Sequence, residues 1–305
     1  MENKLVSVCL ITYNHEKFIR QAIEGVLMQQ VDFQWELIIA DDYSTDSTRQ
    51  ILAEYKARYP DFITLILQEK NVGAAQNWLD LIESPTSKFV AYFEGDDYWT
   101  DPLKLQKQVY FLESNPEFSQ VFHNVIIKQD DGSKEDFLFC KSSQNPILET
   151  SDLLKHGNII PTCSSVFHRE IYQNVPAWIM ELSMGDWPIN ILLSKHGKVK
   201  YLNEVMGVYR LHAGGIWSSN NSVKNNLMVL DAYCAFLINI HLTPDERDIC
   251  KKRISFIRDS IYADLLMQKR KKEAVAFLMK RLATDPLYIF NVRFLKNVKH
   301  YFTSK

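Results

Sequence analysis

Over its first hundred residues the chain alternates two kinds of apolar run, and that alternation constrains its fold more than any other feature. The runs "LVSVCLIT", "WELIIA", "FITLILQ" and "KFVAYF" have the length and β-branched content of buried strands. Between them, "EKFIRQAIEGVLMQQ" places Phe18, Ile19, Ala22, Ile23, Val26 and Leu27 on one helical face, "DSTRQILAEYKARYP" ends at Pro60, and "AAQNWLDLIE" gives a third helix. Strand and helix in strict alternation predict βαβ units with right-handed crossovers and helices on both faces of a mostly parallel sheet. Ligands of such sheets bind beyond the carboxyl ends of the strands. The polar clusters "TYNHE", "DDYSTD", "EKNVG" and "EGDD" follow the four strands in turn, so four loops are expected to converge on one rim.

The rim lacks the usual means of holding phosphate through backbone. Neither G-x-G-x-x-G nor G-x-x-x-x-G-K-[ST] occurs among the ten glycines, and "HEKFI" carries Ile19 where a zincin needs its second histidine. Amide, hydroxyl and aromatic groups at the first strand, with carboxylates at the second and fourth, suit a nucleotide whose phosphates are neutralised by a divalent cation. A chain of 305 residues, 46% hydrophobic and 24% charged, has ample core for this. No stretch reaches the ~18 apolar residues of a spanning helix, and the first apolar run is too short for a signal peptide. Five scattered cysteines without a C-x-x-C pair fit a reducing cytoplasm better than a disulfide framework or a zinc site.

The stretches "VSVCLITYNHEKFIRQAIEGVLMQQ", "WELIIADDYSTDST", "NVGAAQNW" and "FVAYFEGDDYWTDPLKLQKQ" together resemble the family 2 glycosyltransferases of GT-A fold, inverting enzymes that use nucleotide-diphosphate sugars. The resemblance extends through "MGDWPINILLSKHGKVKYLNEVMGVYRLHAGGIWS" and covers roughly residues 4 to 218. It implies a Rossmann-like catalytic domain over 1–221, with a donor half to about residue 100 and an acceptor half after it. Residues 222–305 lie outside it and read as a helical extension.

With that resemblance beside the chemistry, the acids after the fourth strand acquire a purpose. A departing nucleoside diphosphate needs its charge neutralised, and Mn²⁺ or Mg²⁺ bound by one or two carboxylates plus phosphate oxygens does so. Asp97 is assigned to the metal and Asp96 to the ribose or donor sugar, with Gly95 allowing the turn between them. Glu94 stands where the family often has Asp. Tyr13 offers a stacking face to the base, and Thr12 and Asn14 offer hydrogen bonds, though Asn14 can equally cap the first helix. The resemblance gives Asp42 the N3–H of a uracil or thymine, with an Asx-turn as the plain alternative. Asp46 with Ser44 reads as a helix cap, and Asn71 and Gly73 as donor contacts or simple loop formers. Asp186, before Trp187-Pro188, is either an N-cap or, as the resemblance implies, the base that takes a proton from the acceptor hydroxyl. Arg210 and His212 share a strand face and suit the diphosphate and its metal, with Gly214-Gly215 as the hinge of a lid.

The implied activity is metal-dependent transfer of a sugar from a UDP or dTDP donor to a glycan or lipid-linked acceptor, in cell-surface polysaccharide synthesis. A nucleotidyltransferase, or a non-catalytic nucleotide-sugar binder, is the alternative. No nucleic acid partner is expected. Net charge is −2 overall, but the residues from Met267 to the end carry +8 and the rest −10. The segment 286–305 sorts basic from aromatic residues, and it either lies on an anionic membrane surface or packs on protein, a homodimer contact included.

Overall fold

The computed structural model describes residues 4–132, 134–141, 143–172, 175–215 and 221–284. The expected alternation appears as β1 (Val6–Thr12), α1 (Ile19–Leu27), β2 (Trp35–Asp41), α2 (Thr48–Arg58), β3 (Ile63–Leu67), α3 (Ala74–Glu83) and β4 (Phe89–Glu94). These are followed by β5 (Tyr98–Trp99), α4 (Lys104–Ser114), β6 (Phe118–Gln129), β7 (Phe137–Leu138), β8 (Ile147–Leu148), α5 (Thr150–His156), β9 (Val166–His168), α6 (Ala177–Met180), α7 (Asp186–His196) and β10 (Lys198–Leu211).

The sheet runs β3-β2-β1-β4-β9-β6-β10-β5, with β7 on β6 and β8 on β10. From β3 to β4 every pairing is parallel, and β1, fully buried, reads as the continuous apolar run that a central parallel strand requires. Beyond β4 the pairing turns antiparallel through β9, while β6 and β10 pair in parallel. After β6 the chain turns near Asp131-Gly132, and β7 folds back antiparallel on β6. Both faces of the parallel half are covered: Ile19, Ala22, Ile23 and Val26 of α1 pack with Val8 and Leu10, while Trp78, Leu81 and Ile82 of α3 pack with Cys9 and Ile11.

The strand ends are level. Thr12 pairs with Asp41 across β1 and β2, and Ile11 with Glu94 across β1 and β4. That register sets the three loops that follow side by side.

The chain divides into two compact units, Met1–Glu181 with Gly185–His212, and Leu182–Met184 with Ala213–Lys305. The boundary drawn from sequence at 221/222 falls inside the second. Its helices are α8 (Ser222–Asn239), α9 (Pro244–Met267) and α10 (Lys271–Thr284). Asn221 caps α8 through the Lys224 amide, and Thr243 with Glu246 forms a capping box before Pro244 at the start of α9. Among the described residues no helix is long and apolar enough to cross a membrane. The segment 286–305, read as lying on a membrane surface or packing on protein, and the residues 216–220 just after the hinge Gly214-Gly215 lie outside the described residues.

Candidate active site

The loop after β1 is pinned to the loop after β2 by a set of short polar contacts. Asn14, at φ 53° in the left-handed region that asparagine tolerates, accepts the Thr45 amide on Oδ1 at 2.8 Å, and its own amide donates to Ser44 Oγ at 2.8 Å. It does not cap α1, whose N-cap is Phe18. The His15 amide donates to Thr48 Oγ1 and the Glu16 amide to Asp46 Oδ2. Asp46 also accepts the Thr48 amide at the start of α2, as a cap should, whereas Ser44 is engaged by Asp41 instead.

Asp41 and Asp42 divide their work. Asp41 is buried and accepts the Ser44 amide and hydroxyl and Arg49 Nε at 2.6 Å, which makes it architecture. Asp42 receives the Val72 amide at 2.7 Å and the Gly73 amide at 3.0 Å, while Asn71 Nδ2 donates to its carbonyl. Gly73 does this at φ 88°, where a side chain would be strained. Asn71, Val72 and Gly73 thus clamp the Asp42 loop, and Tyr13 stands 43% exposed.

The turn after β4 is different. The Gly95 amide donates to the Ile11 carbonyl at 2.8 Å and the Asp97 amide to the Glu94 carbonyl, which points alternate side chains in opposite directions. Asp96 faces the rim: its Oδ2 lies 2.9 Å from His212 Nε2 and 3.9 Å from His15 Nε2. Asp97 turns inward, 1% exposed, where Oδ1 accepts the Arg210 amide at 2.9 Å and the Cys163 thiol lies beside it. Asp97, expected at the metal, thus braces β10 through Oδ1, while its Oδ2 is buried without a partner. Arg210 is a brace too. Its guanidinium donates to the Asp96 carbonyl and to Gln21 Oε1 and lies over the rings of Tyr98 and Phe18, so it supports the turn from behind.

Five buried polar atoms of this loop and turn have no hydrogen-bond partner: Thr12 Oγ1, His15 Nδ1, Glu94 Oε2, Asp96 Oδ1 and Asp97 Oδ2. A Cβ on Gly95 would stand 3.1 Å from both Thr12 Oγ1 and His15 Nδ1, so glycine keeps this space open. Burial, then the charges of Asp97, Asp96 and Asp186, push the Glu94 carboxyl well above the usual range. Burial also acts upward on Asp96, but the hydrogen bond from His212 and the charges of His15 and His212 outweigh it and hold Asp96 low. The same hydrogen bond raises His212, while burial lowers His15.

Unpaired carboxylate oxygens, an imidazole and a cradle kept clear by glycine are the chemistry of a hard or borderline divalent cation. Among the described residues no three His, Cys, Asp or Glu groups are placed to hold a metal ion by themselves, so a cation here would need a ligand's oxygens to complete its shell.

Asp186 reaches the same region, being among the charges that act on Glu94. It is the first residue of α7, with Gly185 at the N-cap and no side-chain cap bond, so the capping role expected from sequence is not the one it plays. Its Oδ2 accepts from Asn158 Nδ2 and from Thr162 Oγ1, and burial raises its carboxyl above the ordinary range. Asn158, Thr162 and His15 escape sequence reasoning. The first two lie in "HGNIIPT", which carries no motif, and His15 lies inside "TYNHE", where the reading rested on the hydroxyl, ring and amide before it.

Residues 7–175 match the profile of glycosyl transferase family 2. Protein Rv1520 of Mycobacterium tuberculosis is 42% identical over 215 residues, 70% of this chain and 61% of that protein, so the chain spans about three fifths of that relative's length. The Escherichia coli UDP-Glc:alpha-D-GlcNAc-diphosphoundecaprenol beta-1,3-glucosyltransferase WfaP is 30% identical over 215 residues, 70% of this chain and 80% of WfaP. Among solved structures, the mannosyltransferase PcManGT from Pyrobaculum calidifontis in complex with GDP-Man and Mn²⁺ superposes with a TM-score of 0.61 at 15% identity, covering all of this chain and 86% of that one, a likeness of fold. The level strand ends, the converging loops and the length of the profile match agree: this chain belongs to glycosyl transferase family 2.

Proposed function

We propose that the protein is a metal-dependent inverting glycosyltransferase that moves a sugar from a UDP or dTDP donor to a glycan or lipid-linked acceptor in cell-surface polysaccharide synthesis. The observation that carries this is the placement of Asp186 within electrostatic reach of Glu94 on the rim where Asp96 meets His212. A base and a cation site on one rim are what direct displacement at an anomeric carbon requires.

In this reading Tyr13 stacks on the base and Asp42 receives its N3–H, an arrangement the Val72 and Gly73 amides hold ready. Thr12 Oγ1, buried and unpartnered, turns to the donor's sugar or phosphate. Asp96 and His212 would hold Mn²⁺ or Mg²⁺, in place of the Asp97 pairing that sequence suggested, and the cation supplies charge neutralisation for the departing diphosphate. Asp186, steadied by Asn158 and Thr162, takes the proton of the acceptor hydroxyl. WfaP, whose name records a UDP-glucose donor and a diphosphoundecaprenol-linked acceptor, supports the choice of donor and acceptor class. PcManGT, solved with Mn²⁺, supports the cation.

Asp186→Asn tests the base. It keeps shape and both hydrogen-bonding neighbours, so nucleotide-sugar binding should persist while transfer falls by ~10²–10⁴. A base must be deprotonated, and burial raises the carboxyl of Asp186, so the wild-type rate should fall as pH drops through a value above the ordinary carboxylate range. The variant should lack that acid limb. Near wild-type turnover by Asp186→Asn, measured as release of nucleoside diphosphate, would end this assignment. Pyrophosphate as the product would mark a nucleotidyltransferase instead.

A further inference from the structure

One imidazole at the rim has no part in the mechanism above. His15 is anchored from behind: its amide donates to Thr48 Oγ1 at 2.9 Å, and its carbonyl accepts the Phe18 and Ile19 amides, each at 2.9 Å. The ring is thereby aimed at Gly95, where Nδ1 is buried without a partner. Its Nε2 lies 3.9 Å from the Asp96 oxygen that His212 meets at 2.9 Å. The two imidazoles stand edge to face, 6.3 Å between centroids, beside that one carboxylate.

Two donors sharing an ion at about 2.1 Å each are ~3.0 Å apart at a right angle and ~3.9 Å apart when the angle opens to roughly 135°. Both histidine nitrogens lie at such separations from Asp96. Resting on the metal-dependent reading, we propose that His15 gives a second imidazole to the cation held by Asp96 and His212, and so directs the enzyme's choice toward Mn²⁺ and Co²⁺ and away from Mg²⁺.

The physical reason is ligand preference. Mg²⁺ demands small octahedral oxygen shells and gives up water reluctantly, whereas later first-row ions bind imidazole increasingly well. A site with one carboxylate and one histidine leaves that preference weak. A second imidazole strengthens it and still leaves positions for phosphate oxygens. Among the described residues no three such groups are already placed to hold an ion, so the role proposed for His15 requires its ring to turn toward the cation.

The test is direct cation binding by the full chain in the presence of UDP. Mn²⁺ is followed by the paramagnetic resonance of the free ion, with Co²⁺ and Mg²⁺ as competitors, for wild type, His15→Gln, His15→Ala and Asp96→Asn. Both His15 variants should lose about tenfold or more in affinity for Mn²⁺ and Co²⁺ and less than about threefold for Mg²⁺. The visible spectrum of bound Co²⁺ should shift as a nitrogen ligand is lost. Equal losses for all three ions, or none, together with an unmoved Co²⁺ spectrum, would overturn the role of His15. Asp96→Asn separates this from the site itself: if that variant binds Mn²⁺ as wild type does, the metal-dependent reading fails and the inference with it. Circular dichroism of the ion-free variants confirms folding, and the two His15 substitutions, one amide and one methyl, guard against a defect peculiar to either.

Discussion

The loop after β2 and the turn after β4 each crowd three acids into a few residues, and they treat them in opposite ways. In the first, Asp41, Asp42 and Asp46 spend their carboxylates on protein donors: a serine, an arginine and four backbone amides besides that serine's own. Hydrogen bonds from Thr48 and Glu16 outweigh partial burial and hold Asp46 low. In the second, Glu94, Asp96 and Asp97 each keep a buried oxygen without a partner, and burial with mutual repulsion drives Glu94 and Asp97 upward. A carboxylate satisfied by its own chain is held in place, Asp41 and Asp46 as architecture and Asp42 as an acceptor kept ready for the base. One left short of positive charge and donors is waiting for something the chain does not supply, because unpaired buried charge is costly.

The comparison breaks most visibly at Asp96. Asp96→Asn removes a charge from the cradle while keeping an oxygen for His212, and should cost transfer about 10³-fold, with cation dependence lost along with it. Transfer rates titrated with Mn²⁺ and with chelator measure this. If the variant keeps the wild-type cation requirement, the two acidic loops do not differ in the way described.

Asp41 marks the other side. Asp41→Ala strands the Arg49 guanidinium and the Ser44 donors beside a buried gap, so stability should fall by about 3 kcal/mol in chemical denaturation. The cation requirement of whatever remains folded should stay as in wild type. A stable Asp41→Ala protein with an altered cation requirement would place Asp41 with the ligands instead.

How much of this was legible depended on whether chemistry and periodicity coincided. The parallel half was legible because β1 to β4 are uninterrupted apolar runs and each ends in polar residues. The mixed half was less so: β9 is three residues long, and its insertion between β4 and β6 joins segments far apart in sequence. At the site, the acids were visible but their directions were not. Asp96 and Asp97 are neighbours of one type, and which faces the rim is set by where the Ile11 carbonyl and the Arg210 amide lie, both remote in sequence. Lys104 shows the same limit. Nothing in "DPLKLQKQ" marks it off from Lys107, yet it is wholly buried with Nζ 3.9 Å over the Trp99 ring, and burial lowers its pKa to about 7.

Asp97 gives the smallest expected effect and the finest test, because it stands between the two cases: one oxygen is spent on its own chain, as in Asp41, and the other is unpartnered, as in Asp96. Its Oδ1 holds the Arg210 amide, which fixes the end of β10 so that His212, two residues on, arrives at Asp96. Asp97→Asn keeps that acceptor and relieves the repulsion on Glu94, so activity should stay within about threefold and the melting temperature should hold or rise. Asp97→Ala removes the acceptor, leaves a buried amide unpaired, and should cost about 1–3 kcal/mol while weakening cation binding through the displaced His212. A loss of cation dependence in Asp97→Asn as deep as in Asp96→Asn would return Asp97 to the ion and reduce the brace on Arg210 to a secondary contact.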